Sequence, residues 1–270
     1  MSYATSPPVD LLSRVRRHLR YVDQLLAGRA TLGRHRRLLV VGGWLSMLRA
    51  TLHVDLQQRL AAEAHLETAS ALAEQAEHRE IAAWCLETQA WDRLTRGEFR
   101  KAVELSRHAQ AVAPVGGSAI VQATAQEGRA WARLGDQAAT RDALGRVEGM
   151  AEHRAVPEHP EHHYQYDPAK AHAYAATTLA WVGDPAAEQV ARDVITELEE
   201  EGSRPRRIAS AKLDLGLALL AAEKPEEAAA EARAAMRSGR IGGGADTTTS
   251  PFEAFGYAWA ERLSPRSRLL

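Results

Sequence analysis

The stretch WARLGDQAATRDAL (131–144) joins an apolar helix end, at Trp131 and Leu134, to the start of an alanine-rich second helix. Between them stand Gly135 and Asp136. Glycine just past a helix end adopts the left-handed backbone conformation at low cost and closes the helix. Aspartate beside it can cap the free N–H groups of the helix that follows. The unit reads as a helix hairpin, and whether it recurs decides the fold.

It recurs. The same register is found in LTRGEFRKAVELSRHA (94–109), VGDPAAEQVARDVI (182–195) and AAEKPEEAAAEARAAM (221–236), with a degraded copy in HVDLQQRLAAEAHLETA (53–69). The turn positions Gln57, Gly97, Gly135, Gly183 and Glu223 lie 40, 38, 48 and 40 residues apart, a spacing typical of stacked helix pairs. Small or apolar residues follow each turn at helical intervals, as at Ala102, Leu105 and Ala109, or Ala228, Ala232 and Ala235. Two copies place a glycine seven residues before the turn, Gly128 and Gly216, where two crossing helices need close approach. Pro168, Pro185, Pro205, Pro225 and Pro251 all fall where a helix should begin, a position that needs no N–H.

These signals predict an all-α chain, with helices over 9–27, 34–53, 58–76, 79–95, 98–113, 118–134, 137–153, 168–182, 185–201, 204–222, 225–238 and 251–263. The expected organisation is a basic N-terminal helix (1–33) packing on an array, repeats over 34–240, and a glycine- and threonine-rich loop with a last helix (241–270). RAVPEHPEHHYQY (154–166) and SGRIGGGADTTTS (238–250) read as loops.

Composition agrees with a helical, water-soluble chain. Of 270 residues 45% are hydrophobic and 26% charged, aromatics are few, and alanine supplies much of the apolar surface. No apolar run approaches the ~18 residues of a membrane span, and MSYATSPPVDLL lacks the basic and apolar regions of a signal peptide. Cys85 is the only cysteine, which excludes an intrachain disulfide and a thiolate zinc cluster. The expected location is cytoplasmic. The net charge of −1 hides an asymmetry: residues 1–50 hold nine arginines against Asp10 and Asp23. Arginine far outnumbers lysine, and asparagine is absent.

The spacing of Gly128, Trp131, Gly135, Asp136 and Leu144, and again of Leu215, Gly216, Leu219, Ala228, Ala232 and Ala235, resembles the tetratricopeptide (TPR) pattern. More narrowly, RRLLVVGGWLSML (36–48), DLQQRLAAEAHLETASALA (55–73), AAWCLETQAWDRLTRGEFRKAVEL (82–105) and YDPAKAHAYAATTLAWVGDPAAE (166–188) look like the repeat region of actinomycete XRE-type transcriptional regulators. The resemblance spans roughly residues 10–240 and lacks the helix-turn-helix domain with which such regulators usually begin. It implies a TPR-like α-α superhelix, a right-handed solenoid of about five antiparallel helix pairs, with a concave surface lined by the first helix of each pair.

Projected on that pattern, the concave surface carries Trp44, Met47, Trp84, Glu87, Trp91, Gln122, Arg129, Arg133, Lys170, Thr177 and Trp181. Tryptophan and arginine dominate binding sites because they bury large areas and keep directional donors. The groove suits a peptide, a protein partner or a small acidic ligand, while the same tryptophans also serve to fill gaps between alanine-rich helices. Without asparagine, a clamp on peptide backbone would fall to Gln89, Gln122 and Gln126.

Arg14, Arg16, Arg17, Arg20, Arg34, Arg36 and Arg37 form a second candidate, a nucleic-acid contact, or else the polar side of an amphipathic helix packed on an acidic neighbour. His153, His159, His162 and His163 crowd one loop with Glu158, Glu161 and Asp167, but at no spacing of a closed metal site. No Walker loop, nucleophile elbow or H-E-x-x-H helix is present. Cys85 reads as a packed side chain. The sequence thus predicts a non-enzymatic regulatory or sensor module, tied through the resemblance to transcriptional regulation, without cofactor or metal. A ligand-free scaffold, a homodimer and a nucleic-acid binder stand as alternatives.

Overall fold

The computed structural model describes residues 8–152, 154–155, 157–158, 163–166, 169–201 and 205–237, with backbone alone at 169–170, 201, 205–207 and 237. Eleven helices occupy the described residues: α1 Pro8–Leu26, α2 Leu32–Asp55, α3 Arg59–Gln75, α4 Arg79–Thr95, α5 Phe99–Val112, α6 Ser118–Arg133, α7 Gln137–Ala151, α8 Ala169–Val182, α9 Ala187–Glu201, α10 Pro205–Ala221 and α11 Pro225–Arg237. Each lies within two residues of its expected span; the helix expected over 251–263 lies outside the described residues.

The turn that decides the fold has one geometry throughout. Gln57, Gly97, Gly135, Gly183 and Glu223 all have positive φ, between 53° and 77°. The residue after each donates its N–H to the carbonyl five positions earlier: Gln58 to His53, Glu98 to Arg93, Asp136 to Trp131, Asp184 to Leu179 and Lys224 to Leu219, at 2.8–3.1 Å. Each helix therefore closes on its own last carbonyls and releases the chain at the same angle. Asp136 caps α7 by accepting from Ala139 N at 2.9 Å, and Asp184 accepts from Ala186 N. Gln58 and Glu98 make no such bond.

Helices pack as sequential pairs, α2 with α3, α4 with α5, and so on to α10 with α11. The first members, α2, α4, α6, α8 and α10, also touch one another in succession and form a continuous layer. Close contact within that layer puts it on the inner side of the array. Alanine permits the approach: Ala69, Ala90, Ala102, Ala119, Ala143, Ala176 and Ala191 are fully buried. At Gly128 even a methyl group would stand 3.1 Å from the Ala143 side chain.

One carboxylate ties three consecutive helices. Glu127 on α6 is 2% exposed and accepts from Arg107 (2.8 Å) and Gln110 (2.9 Å) of α5, Arg146 (2.9 Å) of α7, and Trp131 (3.2 Å). Burial works against its ionisation, but the hydrogen bonds from Gln110, Arg146, Arg107 and Trp131 outweigh it and lower its pKa to about 2.

α1 docks on α2 through Leu11 and Val15, which join Leu52. Arg16 acts on Arg49 of α2, a like charge. Apolar contact holds this helix.

Replacing Gln57 by glycine removes the strain of a left-handed non-glycine residue while loosening the unfolded chain. The expected net gain is about 0.5–1 kcal/mol in denaturant titration, and a loss would contradict the turn geometry. For Glu127→Gln the expected loss at pH 7 is about 2 kcal/mol. The unfolded glutamate titrates near 4.5 and the folded one near 2. Its stabilisation is thus complete above pH 4.5 and disappears as the pH falls through 2. Titrations at pH 7 and pH 2.5 should show the difference between variant and parent shrinking, and equal differences would refute the latch.

Candidate functional site

The inner layer presents one stripe per helix at three- and four-residue spacing: Trp44, Met47 and Thr51 on α2; Trp84, Glu87 and Trp91 on α4; Gln122, Arg129 and Arg133 on α6; Tyr174, Thr177 and Trp181 on α8; and Asp214 on α10. The stripe divides into two parts of different character.

Across α6, α8 and α10 it is polar and aromatic. The Arg129 guanidinium carbon lies 4.9 Å from the Trp181 ring centre and 5.5 Å from that of Tyr174. Arg133 lies 5.4 Å from Trp181 and 4.9 Å from Phe99, the first residue of α5. One indole thus orders two guanidinium groups by cation–π attraction. Gln122 donates to the Tyr174 hydroxyl at 3.0 Å, and Arg129 donates to Gln126 at 3.2 Å. The Thr177 hydroxyl donates to the Asp214 carboxyl at 2.6 Å. Burial pushes the Asp214 carboxyl up to about 7, against that hydrogen bond and the Arg129 charge. Nε2 of Gln126 and Nε of Arg129 are buried without a hydrogen-bond partner, so donor capacity is left over beside the stacked rings.

Across α2 and α4 the expected groove is filled. Tyr164, from the connector between α7 and α8, sits with its ring centre 5.1 Å from Trp44 and 5.3 Å from Trp84. Its hydroxyl and that of Thr51 share a hydrogen bond of 2.9 Å. His163 packs edge-on against Tyr164 at 4.9 Å and tilted against Trp84 at 6.4 Å. Tyr166 enters a second apolar pocket of Val121, Ala125, Val147 and Ala151. The segment 163–166, expected as solvated loop, is therefore partly core, because two tyrosines in one short stretch bury too much ring surface to stay in water.

The groove residues fare accordingly. Arg129 and Arg133 meet on Trp181, Thr177 stands one turn before Trp181 on α8 and bonds to Asp214, and Gln122 is buried beside Tyr174. Trp44 and Trp91 are half-buried. Met47, Trp84 and Glu87, expected to line an open surface, are buried instead. Met47 lies against Cys85 at 3.2 Å between their sulfur atoms, and burial raises the Cys85 thiol to about 11, which leaves it protonated and inert. The Lys170 side chain lies outside the described residues.

Tyr174, Asp214, Phe99 and Tyr164 were not among the expected site residues. Tyr174 had a signal, standing three and seven residues before Thr177 and Trp181. Tyr164 and Tyr166 had one too, the alternate spacing that puts side chains on one side of an extended strand.

In the basic segment, Arg16, Arg17, Arg20, Arg34 and Arg37 are exposed and Arg14 is half-buried. Arg36 is engaged: its Nε donates to Ala76 O at 2.9 Å and its Nη2 to Glu77 at 3.1 Å. Among the described residues no three histidine, cysteine or acidic side chains are placed to hold a metal ion. His153, His159, His162, Glu161 and Asp167 lie outside the described residues. None of the described helices is long and apolar enough to cross a membrane.

No family model and no curated protein matches the sequence. Among solved structures, the chain is similar to BtubC (BKLC) from P. vanneervenii, with a TM-score of 0.61, 11% identity, and coverage of 91% of this chain and 96% of that one. It is also similar to a putative kinesin light chain from Podosopora anserina with nearly identical TPR-like repeats, with a TM-score of 0.50, 16% identity, and coverage of 72% of this chain and 92% of that one. At such identities the likeness is one of fold. It bears on the TPR part of the resemblance and gives no support to the regulator part. The fold is all-α and TPR-like, eleven described helices packed as sequential pairs.

Proposed function

We propose that the protein is a non-catalytic binding module that holds an acidic segment of a protein partner on the inner face of α6, α8 and α10. The observation that carries this reading is the pair of guanidinium groups, Arg129 and Arg133, ordered on the single indole of Trp181. A stacked guanidinium has already lost much of its rotamer freedom, so less ordering remains to be done when it meets a carboxylate. TPR-like repeats in general bind protein partners, which favours a protein over a free small molecule. The role of this binding in regulation, transcriptional or otherwise, follows from the partner.

A second reading rests on Arg16, Arg17, Arg20, Arg34 and Arg37, which are exposed near the N-terminal end of the array. They would neutralise phosphates of a nucleic acid, and such binding weakens steeply with added salt.

The test is capture of partners from the host's own lysate by full-length protein and by Arg129→Ala/Arg133→Ala, with quantitative mass spectrometry. The variant should lose its partners at least tenfold while its melting temperature falls by no more than a few degrees, about 1 kcal/mol for the stacking lost. Arg129→Lys/Arg133→Lys, which keeps the charge and discards the planar fork, should also lose them. Undiminished capture by the alanine variant would remove this face from consideration.

A further inference from the structure

We propose that the crevice of α2, α4 and α6 is a binding site for an extended protein segment with aromatic residues at alternate positions, occupied in the free protein by its own residues His163–Tyr166. This rests on the reading of the inner face as a partner-binding surface and adds the chemistry that a second part of it recognises.

Three observations carry it. First, the segment is held as a bound peptide is held. Tyr164 and Tyr166 occupy separate pockets, one between Trp44 and Trp84 and the other among Val121, Ala125, Val147 and Ala151. The Tyr164 hydroxyl is matched by Thr51 at 2.9 Å, and the backbone N–H of Tyr166 donates to Ser118 Oγ at 3.1 Å. Ring, hydroxyl and main chain are each recognised, which sets both the kind of residue and its register.

Second, the connection does not require this path. Every other join in the array takes three to five residues, as at 56–58, 96–98, 134–136 and 113–117, whereas the α7–α8 join runs from 152 to 168. Helix connections of two to eight residues suffice in bundles. This one instead doubles back past the start of α6, where Arg154 donates to the carbonyls of Gly116 and Gly117, and inserts its tyrosine between α2 and α4. It thereby covers Trp44 and Trp84, which belong to the same stripe as the arginine face.

Third, the pocket is selective. The Tyr164 ring is buried and its hydroxyl is matched by the neutral hydroxyl of Thr51, so a neutral phenol fits and a phosphorylated ring would bring charge into a site out of water. As a tethered occupant, the segment competes at an effective concentration in the millimolar range. A free peptide at micromolar concentration therefore leaves the parent protein empty, and a partner enters only by bringing contacts elsewhere on the inner face.

The test uses the full chain with Tyr164→Ala/Tyr166→Ala and a fluorescein-labelled synthetic peptide of residues 161–167, EHHYQYD, read by fluorescence anisotropy. The variant should bind at least tenfold more tightly than the parent. The same peptide with both tyrosines replaced by alanine, or with the first tyrosine phosphorylated, should not bind. A folded variant, judged by circular dichroism, that takes up no peptide overturns the proposal. If the variant does not fold, hydrogen exchange on the parent decides. The Tyr166 amide should exchange at least tenfold faster than Ala125 in the middle of α6, through local release of the segment. Exchange of both only through global unfolding makes the segment plain core and overturns the proposal. The outcome is independent of Arg129 and Arg133: peptide uptake with undiminished partner capture by their alanine variant would sink the arginine face alone.

Discussion

The rest of the molecule depends on one turn. Six times among the described residues, at 57, 77, 97, 135, 183 and 223, the chain leaves a helix through a residue of positive φ, followed by an N–H that returns to the carbonyl five positions back. Because the exit geometry repeats, the second helix of each pair returns at the same angle, and the pairs stack without special adjustment. Glycine supplies the conformation freely at 97, 135 and 183; at 57, 77 and 223 a glutamine and two glutamates are forced into it. That they comply shows that packing of the flanking helices, more than local preference, fixes the turn there.

Small side chains at the crossings have two consequences. They bring the first helices of successive pairs into contact and make one continuous inner layer. They also leave little apolar volume to share, so the larger groups must interlock at a few places. Glu127 does this outward, joining α6 to α5 and α7 through three donors, Arg107, Gln110 and Arg146. Trp181 does it inward, with Arg129 and Arg133 stacked on it. A charged latch on one side and a charged, aromatic face on the other come from the same helix, α6, at positions that point in opposite directions.

The connector between α7 and α8 shows how such an array can be interrupted without being broken. Its prolines and histidines make it look like a solvated link, yet it contributes two tyrosines to the interior. The free energy comes from burying two aromatic rings, Tyr164 beside two tryptophans and Tyr166 among aliphatic side chains, a gain of a few kcal/mol that a short segment without helical hydrogen bonds can still collect. An array open on its concave side is thereby partly closed by its own chain.

The fold was legible in the sequence because it depends on local rules: turn residues, their recurrence at intervals of 38–48 residues, and the period of small side chains. Helix bounds followed to within two residues for that reason. The groove was legible in part. Arg129, Arg133 and Trp181 meet because adjacent helices in a regular array present the same register to the same side. Met47, Trp84 and Glu87 share that register and are nonetheless buried, since what covers them arrives from more than seventy residues away. Asp214 and Phe99 entered the face for the same cause. Periodicity determines which side of a helix a residue stands on; only the path of the chain in three dimensions decides what stands opposite it.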